Sequence, residues 1–229
     1  MPWLGRNNRA GWQAIEKAAF GCEGVYDDVE YFEELFPKDA SVEDFYGEYL
    51  YAMFAAGIGN TKGFETHFGK IRSVTDNCNP VFVAADPDGV RSDLLKVNRN
   101  AKKVDWAVNM ALELRSNPQR WLNLQPLGLH EVLVELKKLP GIGSTNRYHM
   151  ARNLGWDTPV IGGFTGYLAD QLGCAPEDLV QAIGRLAKRR TGTVDYILWA
   201  WADKLFESPD DAVKSFKLKV DAKQLLKEA

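Results

Sequence analysis

Cysteine and histidine are scarce in this chain. Cys22, Cys78 and Cys174 stand far apart among 229 residues, with no C-x-x-C pair. They cannot build an iron–sulfur or zinc site by themselves, and reduced, mostly buried thiols are expected. His67, His130 and His149 lack the spacing of a helical zinc pair, so no metal site is expected. Long apolar runs are missing too: none approaches the roughly 20 residues that a membrane span needs. The opening "MPWLGRNNRAGW" has no apolar stretch of signal-peptide type. An intracellular protein with no membrane partner follows as the expectation, cytoplasmic or nucleoid-associated, in a bacterial or phage-infected cell. Alternating strand patterns are nearly absent, with "PVFVA" the single contender, and no repeat or low-complexity segment occurs.

What the chain does contain is an ordinary globular balance of 45% apolar and 26% charged residues in 25.7 kDa. That is enough to bury one large core, or two small ones sharing a cleft. The net charge of −3 excludes a generally basic, histone-like protein, but the charge is unevenly placed. Residues 1–50 carry eleven acids against four bases, whereas residues 137–156 carry Lys137, Lys138, Arg147 and Arg152 and no acid. Such a local basic patch is either a phosphate-binding surface or a solvated helix face.

Helical periodicity runs nearly throughout. "SVEDFYGEYLYAMFAAGIG" opens on Ser41 as an N-cap with Asp44 three residues on, repeats Phe45, Tyr49, Leu50, Met53 and Phe54 at helical spacing, and stops at Gly57. "KGFETHFGKIRSV" and "NPVFVAADPDGV" read as short helices or turns. "RNAKKVDWAVNMALELRS" is amphipathic, with Val104, Ala107, Val108 and Ala111 on one face. Further helices are expected in "GLHEVLVELKKLPGIG", "STNRYHMARNLG", "FTGYLADQLG", "APEDLVQAIGRLAKRR" and "TGTVDYILWAWADKLF". The last 20 residues read as a charged, fraying tail. The fold class is all-α.

"LPGIGSTNRYHMARNLG" is the most informative stretch. Pro140 cannot continue a helix and pushes Leu139 out of the helical region. Gly141 and Gly143 can adopt positive φ and leave no side chain between backbone and partner, and Ser144 or Thr145 then starts the second helix. The product is a tight αα-turn. It is either a plain connector or a set of unpaired amides at a positive helix terminus, suited to a phosphate and blind to base sequence. On the second reading Lys137, Lys138, Leu139, Gly141, Gly143, Ser144, Thr145 and Arg147 form the DNA contact.

With its neighbours this segment resembles the helix-hairpin-helix motif of the base-excision DNA glycosylase superfamily, known for its Gly/Pro-rich loop and aspartate (HhH-GPD). The likeness takes in "EYLYAMFAAGIG", "NRNAKKVDWAV", the hairpin and "VDYILWAWA", or roughly residues 40–203. It implies two helical lobes with a cleft between them, one formed by residues 1–40 with 156–229 and the other by 41–155. It also implies a duplex-DNA partner, a monomer, and a damaged or modified base flipped into the cleft, in DNA repair or DNA modification. No cofactor is implied beyond a monovalent cation at the hairpin.

Two positions depart from the family pattern. Where members that also nick the strand carry a nucleophilic lysine, this chain has Thr145, which cannot form a Schiff base. Where the Gly/Pro-rich loop presents its aspartate, this chain has Gly162, flanked by Ile161 and Gly163. The catalytic residue is therefore unknown from sequence. Asp157 is either a substitute acid or a turn and cap residue, and His149 either a site residue or a structural one. Asp170 is expected to face away, and Asp195 to satisfy nearby backbone or Arg groups. Trp156, Gly162, Gly163, Phe164 and Tyr167 either line a base pocket or, for the aromatics, pack in the core. Three readings follow. The first is a monofunctional N-glycosylase without lyase activity. The second is a phage-type thymine hypermodification enzyme transferring a group onto a modified base, with residues 162–166 holding a phosphate or pyrophosphate. The third is an inactive reader of modified DNA.

Overall fold

The computed structural model describes residues 7–55, 61–160 and 163–228, and no strand occurs among them. The chain divides into two compact units, Leu35–Trp156 and a second made of Met1–Glu34 with Asp157–Ala229. The second unit holds α1 (Asn8–Phe20), α2 (Val25–Glu34) and five helices from the C-terminal part. The first holds α3 (Val42–Ala55), α4 (Thr61–Val74), α5 (Pro80–Ala85), α6 (Pro87–Val97), α7 (Ala101–Ser116), α8 (Gln119–Leu122), α9 (Leu129–Leu136) and α10 (Asn146–Asn153). The C-terminal five are α11 (Gly163–Leu172), α12 (Pro176–Ala187), α13 (Thr191–Leu205), α14 (Pro209–Lys219) and α15 (Ala222–Glu228).

α3 is the central element of unit 35–156. Its start is a reciprocal capping box: the Ser41 amide donates to Asp44 Oδ2 at 2.8 Å, and the Asp44 amide donates to Ser41 Oγ at 3.0 Å. Such a cap stabilises a helix start by about 1 kcal/mol. Tyr46, Tyr49, Leu50, Met53 and Phe54 are then fully buried, each contributing on the order of 2 kcal/mol by leaving water. Phe45 stacks on Trp121 with ring centroids 4.2 Å apart, and the Tyr46 hydroxyl donates to the Ala107 carbonyl of α7 at 3.0 Å. α9 and α10 complete the same core through Val132, Leu136, Met150 and Ala151. Gly57, expected as the stop of α3, lies outside the described residues.

"PVFVA" is helical, as the reading of "NPVFVAADPDGV" as short helices or turns expects, and the single strand contender is not a strand. Pro80 occupies the first turn, and the Asn79 side chain accepts the Val81 and Phe82 amides at 2.9 and 3.1 Å. A side-chain cap followed by a proline with helical φ outweighs the β-propensity of two valines.

In the second unit α13 is buried along most of its length, with Trp201 packed among Trp12, Ile15, Leu198 and Phe216 in one core. The C-terminal residues are not a fraying tail. Ser208 caps α14 by accepting the Asp211 amide at 3.3 Å, and Ala212, Val213, Phe216, Val220 and Leu225 are buried. α14 lies so close to α1 that a Cβ on Gly11 would sit 2.0 Å from the Lys219 carbonyl oxygen. Asn8 and Asp221 clamp the two ends together: Asn8 Nδ2 donates to the Asp221 carbonyl at 3.2 Å, and the Asp221 amide returns a bond to Asn8 Oδ1 at 2.7 Å. The lysines that suggested a solvated tail occupy the outer face of an amphipathic helix.

Candidate nucleic-acid interface

α9 ends at Leu136, and the chain turns through residues 137–145 before α10 begins. Leu139 and Ile142 point into the core at 7% and 6% exposure, which anchors the turn from below. From the side, Tyr49 Oη donates to the Pro140 carbonyl at 2.9 Å, and Asn146 Nδ2 donates to the Ala52 carbonyl at 2.6 Å. Burial pushes the Tyr49 phenol well above its ordinary value, so it remains a donor. Both bonds fasten the hairpin to α3.

The two glycines do different work. Gly141 has φ +78°, and a Cβ there would meet Met53 Cγ at 2.8 Å and Trp106 Cε3 at 3.0 Å. It is required by the backbone and by packing. Gly143 has open space around its Cβ position and needs no positive φ. Gly143, Ser144 and Thr145 are exposed. Among the described residues, the amide hydrogens of Gly141, Gly143, Ser144, Thr145 and Asn146 have no acceptor. These donors sit at the positive end of α10, an arrangement that attracts an anion.

The surrounding charges are unequal. Lys137 is exposed, without a partner among the described residues. Lys138 pairs with Glu135 at 2.6 Å, both side chains well exposed, a contact that competes weakly with a phosphate. Arg147, expected to flank the turn, folds back: its Nη1 lies 3.5 Å from the Leu133 carbonyl, its guanidinium 5.1 Å from the Tyr148 ring centroid, and its Nε is buried without a partner. Sequence reasoning missed Lys102, whose ammonium lies 4.9 Å from the centroid of Trp106, the ring that abuts Gly141. The i, i+4 Lys–Trp spacing in "AKKVDWA" is the signal that could have found it.

The loop residues separate in the structure. Asp157 Oδ1 accepts the Thr191 hydroxyl at 2.8 Å and the Gly192 amide at 3.1 Å, capping the start of α13. A carboxylate so engaged has no lone pair to spare for chemistry on that oxygen. Asp195, buried, accepts the Val160 amide at 3.0 Å. Trp156, offered as a stacking surface, is a core residue: it is 5% exposed, donates Nε1 to the Leu127 carbonyl at 3.0 Å, and meets Trp121 edge-on. Phe164 is buried against Trp201. Both rings are large enough that the core takes them up. Tyr167 hydrogen-bonds Asp210 at the surface. Asp170 is exposed on α11, Gly163 opens α11 with φ +62°, and Gly162 lies outside the described residues.

The facing sides of α3 and α10 carry a polar cluster that sequence reasoning did not assemble. Asn153 Nδ2 donates to Glu48 Oε2 at 2.8 Å, and Arg152 Nε donates to Asn153 Oδ1 at 3.2 Å. Arg152 is only 9% exposed. Burial raises Glu48 to about 7, against the opposing pull of Asn153 and Arg152, with a small push from Asp44. His149 is half-buried. Burial lowers it to about 3, helped by the neighbouring Arg152 charge, so its imidazole is neutral. The sequence did carry a hint, since Glu48 is the one charged residue between Asp44 and Lys62.

Among the described residues no group of three or more His, Cys, Asp or Glu side chains could hold a metal. A monovalent cation at the hairpin would have to use backbone carbonyls. That of Pro140 already accepts Tyr49, and that of Leu139 accepts the Ile142 amide at 3.2 Å. A cavity of about 280 Å³ behind Leu139 is lined by Phe45, Trp121 and Leu127, and its polar rim is engaged by the Glu113–Arg120 ion pair. No described helix is long and apolar enough to cross a membrane. Compared with family models, with curated proteins and with solved structures, the chain matches none.

Proposed function

We propose that this all-α protein has the helix-hairpin-helix architecture of base-excision DNA glycosylases, two-lobed with a base-binding cleft, and binds duplex DNA through residues 139–147. In this reading it takes a modified or damaged base out of the stack and releases it as a monofunctional N-glycosylase. One observation carries the proposal. A run of outward-facing amides, at Gly143, Ser144, Thr145 and Asn146, has no acceptor among the described residues, while the turn beneath them is anchored by Leu139, Ile142 and the Tyr49–Pro140 bond. A rigid turn that leaves its donors unpaired is prepared for a phosphate. Thr145 in the lyase position supports base release without strand nicking.

The interface acts through backbone contacts. Binding is expected to be insensitive to sequence and to weaken with salt, since each neutralised phosphate releases counterions. The test pairs duplex affinity across a salt series with base release from a panel of lesion duplexes. Wild type binds with a negative salt slope and frees a base from at least one duplex, without strand cleavage. Binding that is flat in salt would remove the interface. Binding without release from any lesion would leave the inactive-reader alternative, and a changed nucleoside mass on 5-hydroxymethyluracil DNA would favour group transfer.

A further inference from the structure

Leu139, which anchors the hairpin turn, also walls a cavity. This space of about 280 Å³ has an apolar interior formed by Met110 and Leu114 of α7, Leu124 and Leu139 itself, all buried or half-buried. Its mouth carries Glu113, Arg120 and Glu135, two acids against one base. The volume lies between the ~150 Å³ that holds a single benzene ring and the ~300 Å³ at which drug-sized sites begin. One ring with a short arm fits it.

The two carboxylates are held with unequal strength. Glu113 is paired with Arg120, whose planar guanidinium is the stronger kind of partner for a carboxylate. Glu135 Oε1 accepts from Lys138 Nζ at 2.6 Å, while its Oε2 has no hydrogen bond among the described residues. Lys138 is a flexible, strongly hydrated partner with 57% of its side chain exposed, and such a pair is readily exchanged. Glu135 is therefore the acid open to a bound cation.

We propose that this cavity binds a small hydrophobic amine, its apolar body against Leu114, Leu124 and Leu139 and its ammonium on Glu135 in place of Lys138. The displaced Lys138 adds a free cation beside the unpaired amides of the turn. Where the turn grips duplex DNA, which rests on the reading above, the amine raises duplex affinity, and duplex raises amine affinity by the same factor. The binding site itself stands without that reading.

Calorimetric titration of the full chain with 2-phenylethylammonium chloride at constant ionic strength tests the site, with phenylacetate as the anionic control. Wild type is expected to bind the amine saturably, with a dissociation constant on the order of 1 mM or tighter, and phenylacetate at least about tenfold more weakly. Glu135→Gln is expected to lose about tenfold. Lys138→Gln gains about two- to fivefold because the competitor is gone, and Leu124→Trp, which fills the cavity, loses binding. Thermal melts check that each variant is folded, and the two surface variants carry the test if Leu124→Trp is not. No saturable binding by wild type overturns the proposal, as does equal affinity for phenylacetate or in Glu135→Gln. Duplex affinity is then measured with and without saturating amine, and a rise of about two- to fivefold, absent in Lys138→Gln, is expected. Unchanged duplex affinity beside a bound amine overturns the Lys138 exchange and leaves the DNA reading standing. No duplex binding with or without amine overturns the DNA reading and leaves the cavity site.

Discussion

The Tyr49 hydroxyl donates to the Pro140 carbonyl at 2.9 Å, joining the buried face of α3 to the one residue that the hairpin cannot place in a helix. No backbone amide among the described residues donates to the Pro140 carbonyl, which leaves it open to the tyrosine. Tyr49→Phe keeps the ring in the core and removes only this bond. A loss of about 1 kcal/mol in unfolding free energy is expected, with a larger relative loss of duplex affinity, since the freed turn must be reordered on binding. Denaturant melts and binding isotherms at one salt concentration check both; affinity equal to wild type would show that the bond has no part in holding the turn.

Gly141 and Gly143 separate folding from binding. Gly141→Ala forces a side chain into positive φ against Met53 and Trp106, and should cost about 2 kcal/mol or more. Gly143→Asp meets open space, so stability should stay within roughly 0.5 kcal/mol of wild type, while a carboxylate set among the unpaired amides of the turn is expected to abolish the proposed duplex binding. Equal duplex affinity in Gly143→Asp would exclude the turn as the contact.

The Glu48 and His149 shifts set opposite slopes of stability against pH. Glu48 holds its proton to about 7 in the folded chain, against an ordinary 4.5. Between those values the folded state binds more protons, and stability falls as pH rises, by about 3 kcal/mol in all. His149 is lowered from 6.5 to about 3, so the unfolded state binds more protons there; its contribution is full above 6.5 and declines as pH falls through that window. From 4.5 to 6.5 the two nearly cancel. Glu48→Gln should therefore be more stable than wild type at pH 8 and close to it at pH 4, as urea melts at both values would show. Equal stability at pH 8 would mean that Glu48 ionises without penalty.

Phe216 tests the C-terminal helices. It is fully buried among α1, α13 and α14 side chains, and Phe216→Ala should cost about 3–5 kcal/mol. A change below about 1 kcal/mol would return these residues to the status of a tail.

Much of the molecule was legible from residue order. Local rules sufficed for the Ser41–Asp44 box, the α7 stripe, the glycine-proline turn and the helical class, because each is decided by neighbours within about one or two turns. The C-terminal helices were misread because charge density was weighed before the spacing of Ala212, Val213 and Phe216. "PVFVA" stayed open between a short helix and a strand because a five-residue apolar run carries no period of its own.

By itself, then, the sequence determined an all-helical chain with a tight glycine-proline turn after Leu139, and the loss of lysine and aspartate from the positions that the resemblance marks. Only tertiary structure decided which side chains are free to act. It committed Asp157 to the cap of α13 and Trp156 to the core, folded Arg147 away, and brought Glu48 against Asn153 from 105 residues along the chain. The reason is physical: a backbone turn is a local consequence of φ and missing donors, whereas burial and a shifted proton affinity are properties of what the fold packs around a group.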